Sequence, residues 1–399
     1  AVFPKGFLWG SAISAHQTEG GNTTSDWWAW ENSPSRIAEL KSKGKNPKDF
    51  QSGQACDFYH RFEADFDLAK QLNQNAIRIS VEWARIEPVA GQFSEEAINH
   101  YVKVLQAAKE RGLTTFVTLH HFTVPVWFAE SGGFAEKISI EYFLRYAQMA
   151  AKRLGQYSDF WLTFNEPEIY CSHAFLFGRW PPQKKSLAQT WKVVGNIITA
   201  HNTAAPKIHL LTGKPVSIAF HLSDLQAESI FSSFSRFLVH YFSNEFILNR
   251  TIDNCDFIGV NYYGHGHIGL FGKRVHSASG HEASDMGWGI HPEGISRVLE
   301  SLKKFKKPIY ITENGVADAQ DKKREKFIKG HLGHIYRAIQ NGADVRGYFY
   351  WSLIDNFEWH HGFAPRFGLV EVDYKTLERK IRPSAWKYAE ICKSNTLLG

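Results

Sequence analysis

Two short strings of residues each carry a glutamate in a setting that suits catalysis. They are Thr163-Phe164-Asn165-Glu166-Pro167 and Ile311-Thr312-Glu313-Asn314-Gly315. In each string an apolar, β-prone run ends near the glutamate, and a turn former follows it. Two carboxyls facing each other can cleave a glycosidic bond, with retention at a separation of about 5–5.5 Å and with inversion at about 6.5–9.5 Å. The sequence leaves both outcomes open.

The surroundings of the two glutamates suggest that they differ in protonation. Arg78 follows another β-prone run, and a guanidinium beside one carboxylate lowers its pKa and keeps it charged as a nucleophile. The other carboxyl must hold a proton near neutral pH. The apolar neighbours of Glu166 (Trp161, Phe164 and Pro167) and repulsion from a charged partner both raise the pKa of such a group. We therefore expect the pKa of Glu166 to lie above its ordinary value.

Eight β-prone runs alternate with segments of helical period along the chain. The runs are residues 7–12, 76–80, 114–119, 160–164, 216–220, 257–261, 309–312 and 347–351. Strands that alternate with helices form parallel βαβ units, and eight such units close into an α/β barrel. We find no linker or repeat, so we predict one (β/α)8 TIM barrel over residues 1–399, with long βα loops.

Polar or aromatic side chains that could do chemistry stand at the ends of most of these runs. They are Ser14 to Gln17, Arg78, His120-His121, Asn165-Glu166, Asn261 to Tyr263, Glu313 and Trp351. Because the carboxyl ends of barrel strands share one face, we expect these side chains to meet at a single mouth.

Motifs spread along the chain resemble β-glycosidases of glycoside hydrolase family 1. Besides the two glutamate strings they are Phe3 to Gly10, His16 to Gly20, Cys56 to Phe62, Arg78 to Ile86, Leu119 to Phe122, Trp288 to Gly294, Trp351 to Trp359 and Arg366 to Leu369. The resemblance implies a retaining, exo-acting β-glycosidase that hydrolyses unphosphorylated β-D-glucosides or oligosaccharides. It implies β-galactosides and β-fucosides as further substrates, and neither a metal nor an organic cofactor.

The resemblance also implies a role for each residue near the scissile bond. Glu166 would be the acid/base and Glu313 the nucleophile of a double displacement. Asn165 would bind the sugar 2-hydroxyl, Arg78 would lie beside Glu313, and Tyr263 would donate a hydrogen bond to Glu313.

A second group of residues would bind the remaining hydroxyls of the non-reducing sugar. These are Gln17, His121, Glu358 and Trp359, with Trp351 as a stacking floor. Family members that act on phosphosugars lack the glutamate found here at position 358, where an anion would repel phosphate. Thioglucosidases of the family replace the acid/base with an amide, whereas Glu166 is present here.

Two features leave alternatives open. Residues 222–254 lack the family's usual Trp- and Pro-containing string and look shortened, so the specificity for the aglycone is not predicted. The rival function is an inactive barrel that binds sugars or proteins; both glutamates and their supporting residues are present, which favours the enzyme.

Composition and minor motifs exclude other classes of function. The net charge of +6 is spread over scattered clusters, which predicts solvated helix faces and no nucleic-acid partner. No apolar run approaches the length of a membrane span, and we expect no membrane partner. Four separated cysteines predict no metal site and a cytoplasmic location. The Gly264–Gly269 string fits G-x-G-x-x-G without the helix that a dinucleotide site requires. The oligomeric state is not predicted.

Overall fold

Eight parallel strands close into a barrel in the computed structural model, which describes residues 1–270, 272, 274–275 and 282–397. In chain order the strands are β1 (Leu8–Ala12), β2 (Ala76–Ser80), β3 (Thr114–His120), β4 (Phe160–Asn165), β5 (Val216–His221), β6 (Ile258–Asn261), β7 (Ile309–Asn314) and β8 (Val345–Trp351). Strand β8 pairs with β1, from Gly347 opposite Leu8 to Trp351 opposite Ala12, which closes the ring. The predicted barrel is confirmed.

Four of the strands extend one or two residues further than the hydrophobic pattern predicts. β3, β4, β5 and β7 end at His120, Asn165, His221 and Asn314. Their last, polar residues therefore belong to the hydrogen-bonded barrel itself. A side chain on a strand is held more rigidly than one on a free loop, so the barrel fixes these groups in place.

Helices cover the outside of the barrel. The longer ones are Phe58–Gln71, Glu95–Glu110, Ser139–Leu154, Leu187–Thr212, Glu293–Leu302, Arg324–Gln340 and Pro383–Ser394. Between β5 and β6, the helices Ser233–His240 and Phe246–Thr251 flank a π-helical turn, Tyr241–Glu245. Shorter α-helices are Ala15–Thr18, Asp26–Glu31, Pro34–Ser42, Trp83–Ile86, Val126–Glu130 and Pro167–Cys171. Within the described ranges, no helix is long and apolar enough to cross a membrane.

The helix Glu95–Glu110 shows how sequence directs these outer elements. Ser94 caps it by accepting a hydrogen bond from the backbone N–H of Ala97, and two glutamates occupy its first turn, where the helix dipole favours negative charge. Its buried residues, including Ile98, Tyr101 and Leu105, recur every three or four positions and pack on the barrel. Each fully buried side chain of this size contributes about 1.5–3 kcal/mol.

The βα loops carry smaller sheets. Asp224–Ala227, after β5, pairs in parallel with His265–Ile268, after β6, and the latter pairs antiparallel with Arg274–Val275. A short hairpin, Val370–Val372 with Arg379–Ile381, follows β8. The first of these sheets joins the connections that follow β5 and β6.

Aromatic rings fill the barrel interior below the mouth. Phe116 stacks on Phe160 with centroids 4.2 Å apart, and Tyr310 and Phe349 lie within 5.2 Å of Phe116. The small residues Ala12, Ala76 and Ala219 share this cluster and leave room for the rings. The barrel is therefore a packed core with a solid floor.

Gly315 lets β7 and β8 approach each other closely. A Cβ at this position would lie 1.8 Å from the carbonyl oxygen of Trp351, so only glycine fits. The turn that follows Glu313 is thereby held against Trp351.

Candidate active site

A cavity of about 540 Å³ opens at the carboxyl ends of the strands. Nine of the predicted site residues line it: Gln17, His121, Asn165, Glu166, Tyr263, Glu313, Trp351, Glu358 and Trp359. The tenth, Arg78, lies on β2 and hydrogen-bonds two of them, Glu313 and Asn165. The structure thus brings the whole predicted set together.

Glu313, on β7, is held from both sides. Arg78 Nη1 donates to Glu313 Oε1 at 2.7 Å, and the hydroxyl of Tyr263 donates to Oε2 at 2.6 Å. The side chains of Arg78 and Glu313 are 1% and 5% exposed, so this is a buried charge pair with its geometry fixed. These two hydrogen bonds fix the orientation of the Glu313 carboxyl at the wall of the cavity.

Glu166 lies just beyond β4 in a left-handed backbone conformation, with φ 42°. It precedes the helix Pro167–Cys171, and its backbone N–H donates to the carbonyl of Ala219 on β5. Its Oε1 accepts a hydrogen bond of 2.8 Å from Asn261 Nδ2. A positive φ is costly for a glutamate, and such strain persists where the surroundings impose it, which is common in active sites.

Two asparagines connect the carboxyls. Asn165 Oδ1 accepts hydrogen bonds from Arg78 Nη2 at 2.6 Å and from Asn261 Nδ2 at 3.0 Å. Asn261 also reaches Glu166, so one network runs from Glu166 through Asn261, Asn165 and Arg78 to Glu313.

Burial raises the pKa of Glu313 to about 7. The charge of Arg78 lowers this pKa but offsets only part of the effect of burial, and the charge of Glu166 raises the pKa further. Burial also favours the neutral form of Glu166. There, however, the charge of His221, the hydrogen bonds from His221 and Asn261, and the charge of Arg78 together bring the pKa below its ordinary value. This differs from the raised pKa that its apolar neighbours predict for Glu166, and His221 is the principal reason.

His221 is a functional candidate that the sequence pattern misses. It ends β5, and its Nδ1 lies 3.3 Å from Glu166 Oε1. Its ring lies parallel to that of Tyr263, within 15°, and its Nε2 lies 3.3 Å from Ser223 Oγ. The sequence does carry an indication of its position, because His221 is a polar residue directly after the apolar run 216–220. The other polar strand ends show the same pattern.

The rest of the cavity offers unpaired polar atoms and flat aromatic faces. Within the described part of the chain, Glu358 Oε2 and His121 Nδ1 are buried without a hydrogen-bond partner. Burial, together with the charges of Glu313 and Glu166, raises the pKa of Glu358 to about 8. The His121 ring lies nearly parallel to those of Trp351 and Trp359, at centroid distances of 6.0 and 6.1 Å. Such a lining suits a ligand with many hydroxyls and an apolar face.

Residues from the loops after β4 and β6 form the outer wall. Ile169, His173, Arg179, Trp180 and Trp288 line the cavity, and none of them was assigned a binding role from the sequence. Trp180 Nε1 donates to His360 Nδ1 at 2.9 Å, which links two loops at the mouth. These residues lie in loops, outside the β-prone runs. The hydrophobic periodicity of a sequence does not predict where a loop residue lies in the fold.

The motifs with other possible meanings have structural explanations. Within the Gly264–Gly269 string, His265–Ile268 is a strand, so no helix begins there to bind a dinucleotide. His120 packs among the rings of Phe134, Phe164 and Tyr170, while its neighbour His121 faces the cavity. Across the residues that the structure describes, no group of His, Cys, Asp and Glu is arranged to hold a metal ion.

Comparison with known proteins establishes the family. The profile of glycosyl hydrolase family 1 matches residues 1–235 and 239–397. The chain belongs to glycosyl hydrolase family 1. This confirms the resemblance that the motifs indicate, and it places the two glutamate strings within a glycoside hydrolase.

Individual members of family 1 align over nearly the full chain. β-Glucosidase A of Thermotoga maritima is 30% identical over 451 aligned positions, covering 99% of this chain and 98% of the relative. The structure of a β-glycosidase from Pyrococcus horikoshii is 36% identical, with a TM-score of 0.92 and coverage of 100% and 96%. A structure of the Thermotoga maritima β-glucosidase in complex with deoxynojirimycin is 28% identical, with a TM-score of 0.91 and full coverage of both chains.

This family 1 chain is shorter than the curated relative it matches. Its 399 residues align over 451 positions, so the relative carries insertions that are absent here.

Proposed function

We propose that the chain is a retaining, exo-acting β-glycosidase that releases unphosphorylated β-D-glucose units from the non-reducing ends of small β-glycosides or oligosaccharides. The observation that carries this proposal is the pair Glu166 and Glu313, buried in one cavity and joined through Asn261, Asn165 and Arg78. Family membership supports it.

In the first step of the proposed reaction, a carboxylate oxygen of Glu313 attacks the anomeric carbon. The bond from that carbon to the leaving oxygen breaks, and Glu166 transfers its proton to the departing alkoxide. Tyr263 and Arg78 hold Glu313 in place for the attack, since each donates to a different oxygen. The products are an alcohol and an ester between Glu313 and the sugar.

The second step reverses these roles. Glu166, now ionised, takes a proton from water, whose oxygen attacks the anomeric carbon and releases Glu313. Esterification removes the charge of Glu313, and with it the repulsion that disfavours a second anion nearby. Because the pKa of Glu313 is about 7 in the free protein, we infer that the pair holds one shared proton near neutral pH. The reactive form is the one in which that proton lies on Glu166.

The remaining predicted residues would bind the sugar. In this proposal Asn165 contacts the 2-hydroxyl and Trp351 stacks below the ring. The other hydroxyls are bound by Gln17, His121, Glu358 and Trp359. The buried carboxyl of Glu358 supports a neutral substrate, because it supplies no positive charge to bind a phosphate group and its anionic form would repel one. Glucosides and galactosides differ at the 4-hydroxyl, and we propose that β-galactosides and β-fucosides are also cleaved.

We further propose that the chain is one catalytic domain that acts in the cytoplasm. All four cysteines, at positions 56, 171, 255 and 392, are buried and free, which suits a reducing compartment.

Azide rescue tests the two glutamates separately. Glu313→Gly should lose about 10³-fold or more of its hydrolysis of an aryl β-glucoside, and azide should restore turnover with an α-glucosyl azide as product. Glu166→Ala with an activated aryl glucoside should instead give a β-glucosyl azide, because azide then replaces the water of the second step. Product stereochemistry is read by proton NMR.

Several results would contradict the proposal. If wild-type protein binds aryl glucosides without releasing the aryl alcohol, the inactive-barrel alternative is correct. Release of an α-sugar as the first product would show inversion. Retained hydrolysis by Glu313→Gly, with folding confirmed by circular dichroism, would remove that residue from the nucleophile role.

A further inference from the structure

The helix Ser233–His240, in the connection between β5 and β6, turns an apolar face to solvent. Ile230 and Phe231, just before it, are 83% and 80% exposed. Within it, Phe234 is 71% exposed, Phe237 55% and Leu238 38%. These five side chains recur at the spacing of one helical face. We call them, together with Phe242, which is 47% exposed, the apolar face.

The opposite side of the same segment is polar and points inward. Arg236, His240 and Asn244, spaced four residues apart, line a cavity of about 160 Å³ together with Asp224 and Arg297. A surface helix ordinarily buries its apolar side and exposes its polar side. Here the arrangement is inverted, so the apolar face requires a covering that the described residues do not supply. Contiguous exposed apolar patches of this kind mark interaction sites.

The apolar face continues onto the first turns of the helix Leu187–Thr212. Trp191, which is 43% exposed, lies 5.7 Å from Phe242 and 5.1 Å from Phe246, measured between ring centroids. Leu187, at the start of the same helix, is 61% exposed. Trp, Phe and Leu together are the residues that peripheral proteins place at a lipid–water boundary.

Both segments belong to the pole of the barrel where the catalytic cavity opens. The loop after β4 supplies Arg179 and Trp180 to the cavity before the chain reaches Leu187. His221, the last residue of β5, and Ser223, just after it, line the cavity before the chain reaches the apolar face. Phe177, between the cavity residues His173 and Arg179, is itself 49% exposed.

Positive charge accompanies these apolar side chains. Lys184, Lys185 and Lys192 are exposed on either side of Leu187, and the whole chain carries a net charge of +6. Lysines next to an apolar surface suit the anionic head groups of a bilayer, where each contributes about 1 kcal/mol to adsorption.

We propose that the apolar face inserts shallowly into the surface of an anionic lipid bilayer. The Phe side chains and Trp191 reach the boundary of the acyl chains, while the three lysines contact head-group phosphates. This is a peripheral association that needs no spanning helix, and it differs from the sequence-based expectation of no membrane partner. Vesicle binding does not depend on glycoside hydrolysis. A test of membrane binding is therefore independent of a test of the proposed function.

Co-sedimentation with vesicles tests the proposal. Wild-type protein should pellet with phosphatidylcholine vesicles that contain phosphatidylglycerol, and less with phosphatidylcholine alone. The triple variant Phe231→Ser, Phe234→Ser, Phe237→Ser should bind at least about ten-fold more weakly, since three inserted rings are lost. Lys184→Glu, Lys185→Glu, Lys192→Glu should abolish the preference for anionic vesicles.

The matched control lies at the other end of the helix Leu187–Thr212. Leu210 is 84% exposed and Leu211 41%, and both belong to the opposite pole of the barrel. Leu210→Ser, Leu211→Ser should bind vesicles like the wild type. All variants should hydrolyse a small soluble aryl glucoside at the wild-type rate, which shows that they are folded.

Three outcomes would overturn the proposal. They are wild-type protein that stays in the supernatant with both kinds of vesicle, a phenylalanine variant that binds as well as the wild type, and light scattering that shows a dimer dissociated by the phenylalanine variant. The last result would identify the apolar face as a contact between two copies.

Discussion

The surroundings of Glu166 shift its pKa in opposite directions. Burial favours its neutral form, while His221 Nδ1 at 3.3 Å and Asn261 Nδ2 at 2.8 Å favour its anion. A general acid must be protonated at the working pH, so a cation beside it narrows the pH range of the first step. His221 is therefore a positioning and tuning residue in the proposed mechanism, acting through Glu166.

Replacing His221 should change the pH profile in one direction. In His221→Asn the charge that lowers the pKa of Glu166 is gone, so that pKa rises and the acid stays protonated to higher pH. The basic limb of kcat/KM for an alkyl β-glucoside should move to higher pH, as measured in buffers of constant ionic strength.

The leaving group supplies the control for this effect. An aryl glucoside that departs without protonation does not need the acid in its first step, so the shift in kcat/KM should shrink or vanish with that substrate. An equal shift with both substrates, or none with the alkyl glucoside, would show that His221 does not act through Glu166.

At the scale of elements, the loop after β8 must carry Glu358 and Trp359 into the cavity, and buried Asp355 anchors it. Its carboxylate accepts hydrogen bonds from Arg382 Nη1 and Nη2 at 2.8 and 2.9 Å and from Arg366 Nη1 at 3.0 Å. Asp355 is 0% exposed and the side chain of Arg382 4%, while that of Arg366 is 26% exposed, so the loop depends on an ionic cluster with a buried centre.

Asp355→Ala should destabilise the protein and weaken sugar binding together. Removing the carboxylate leaves the buried guanidinium of Arg382 uncompensated, which costs about 3–5 kcal/mol. A looser loop should also raise KM for the aryl glucoside more than it lowers kcat, because the role proposed for Glu358 and Trp359 is to bind the sugar. Urea unfolding and steady-state kinetics measure the two effects.

A matched surface pair separates loss of a charge from loss of this anchor. Asp344 pairs with Arg346 at 2.7 Å, but both side chains are about half exposed. Asp344→Ala should cost less than about 1 kcal/mol and leave KM unchanged. If the two aspartates gave equal losses, the anchoring role of Asp355 would be refuted.

The molecule as a whole encloses histidines that stay neutral, and each of them weakens its stability in acid. Burial lowers the pKa of His120, His201 and His331 to about 3 in each case. In the unfolded chain these groups bind protons near pH 6.5, so between about pH 6.5 and 3 the unfolded state takes up more protons than the folded state. These three histidines therefore contribute a loss of stability as the pH drops through this range, whereas buried carboxyls with a raised pKa, such as Glu358, act in the opposite sense.

The contribution of a single buried histidine to this pH dependence can be measured at His120. Both its ring nitrogens lack a hydrogen-bond partner among the described residues, and its neighbours are the rings of Phe134, Phe164 and Tyr170. His120→Phe should therefore fold, and it should reduce the loss of unfolding free energy between pH 6 and 4 by about 1.4 kcal/mol per pH unit. Urea titrations at several pH values measure this slope, and an unchanged slope would contradict the assignment.

The barrel was predictable because its strands are short, apolar and regularly separated by helices. The site was predictable because residues such as Arg78, Glu166 and Glu313 stand at strand ends, which the topology brings together whatever their distance in sequence. His221 was missed, and with it the lowered pKa of Glu166, because a pKa depends on which side chains meet in three dimensions.

The connection between β5 and β6 lay beyond prediction for a different reason. Asp224–Ala227 becomes a strand by pairing with His265–Ile268, about forty residues away, and such pairing has no local signature. The inverted polarity of the helix Ser233–His240 likewise depends on which side of the helix the barrel covers.

The two ends of the described chain meet at the pole opposite the mouth. The terminal amine of Ala1 donates to the carbonyl of Leu397 at 2.8 Å, and Asn395 contacts Phe3 and the indole of Trp9 at the start of β1. A few linking residues could therefore join the ends into a ring at little entropic cost, and the ring could be reopened in a different loop. The same corner offers an attachment point for a solid support or a fused partner that leaves the catalytic opening facing outward.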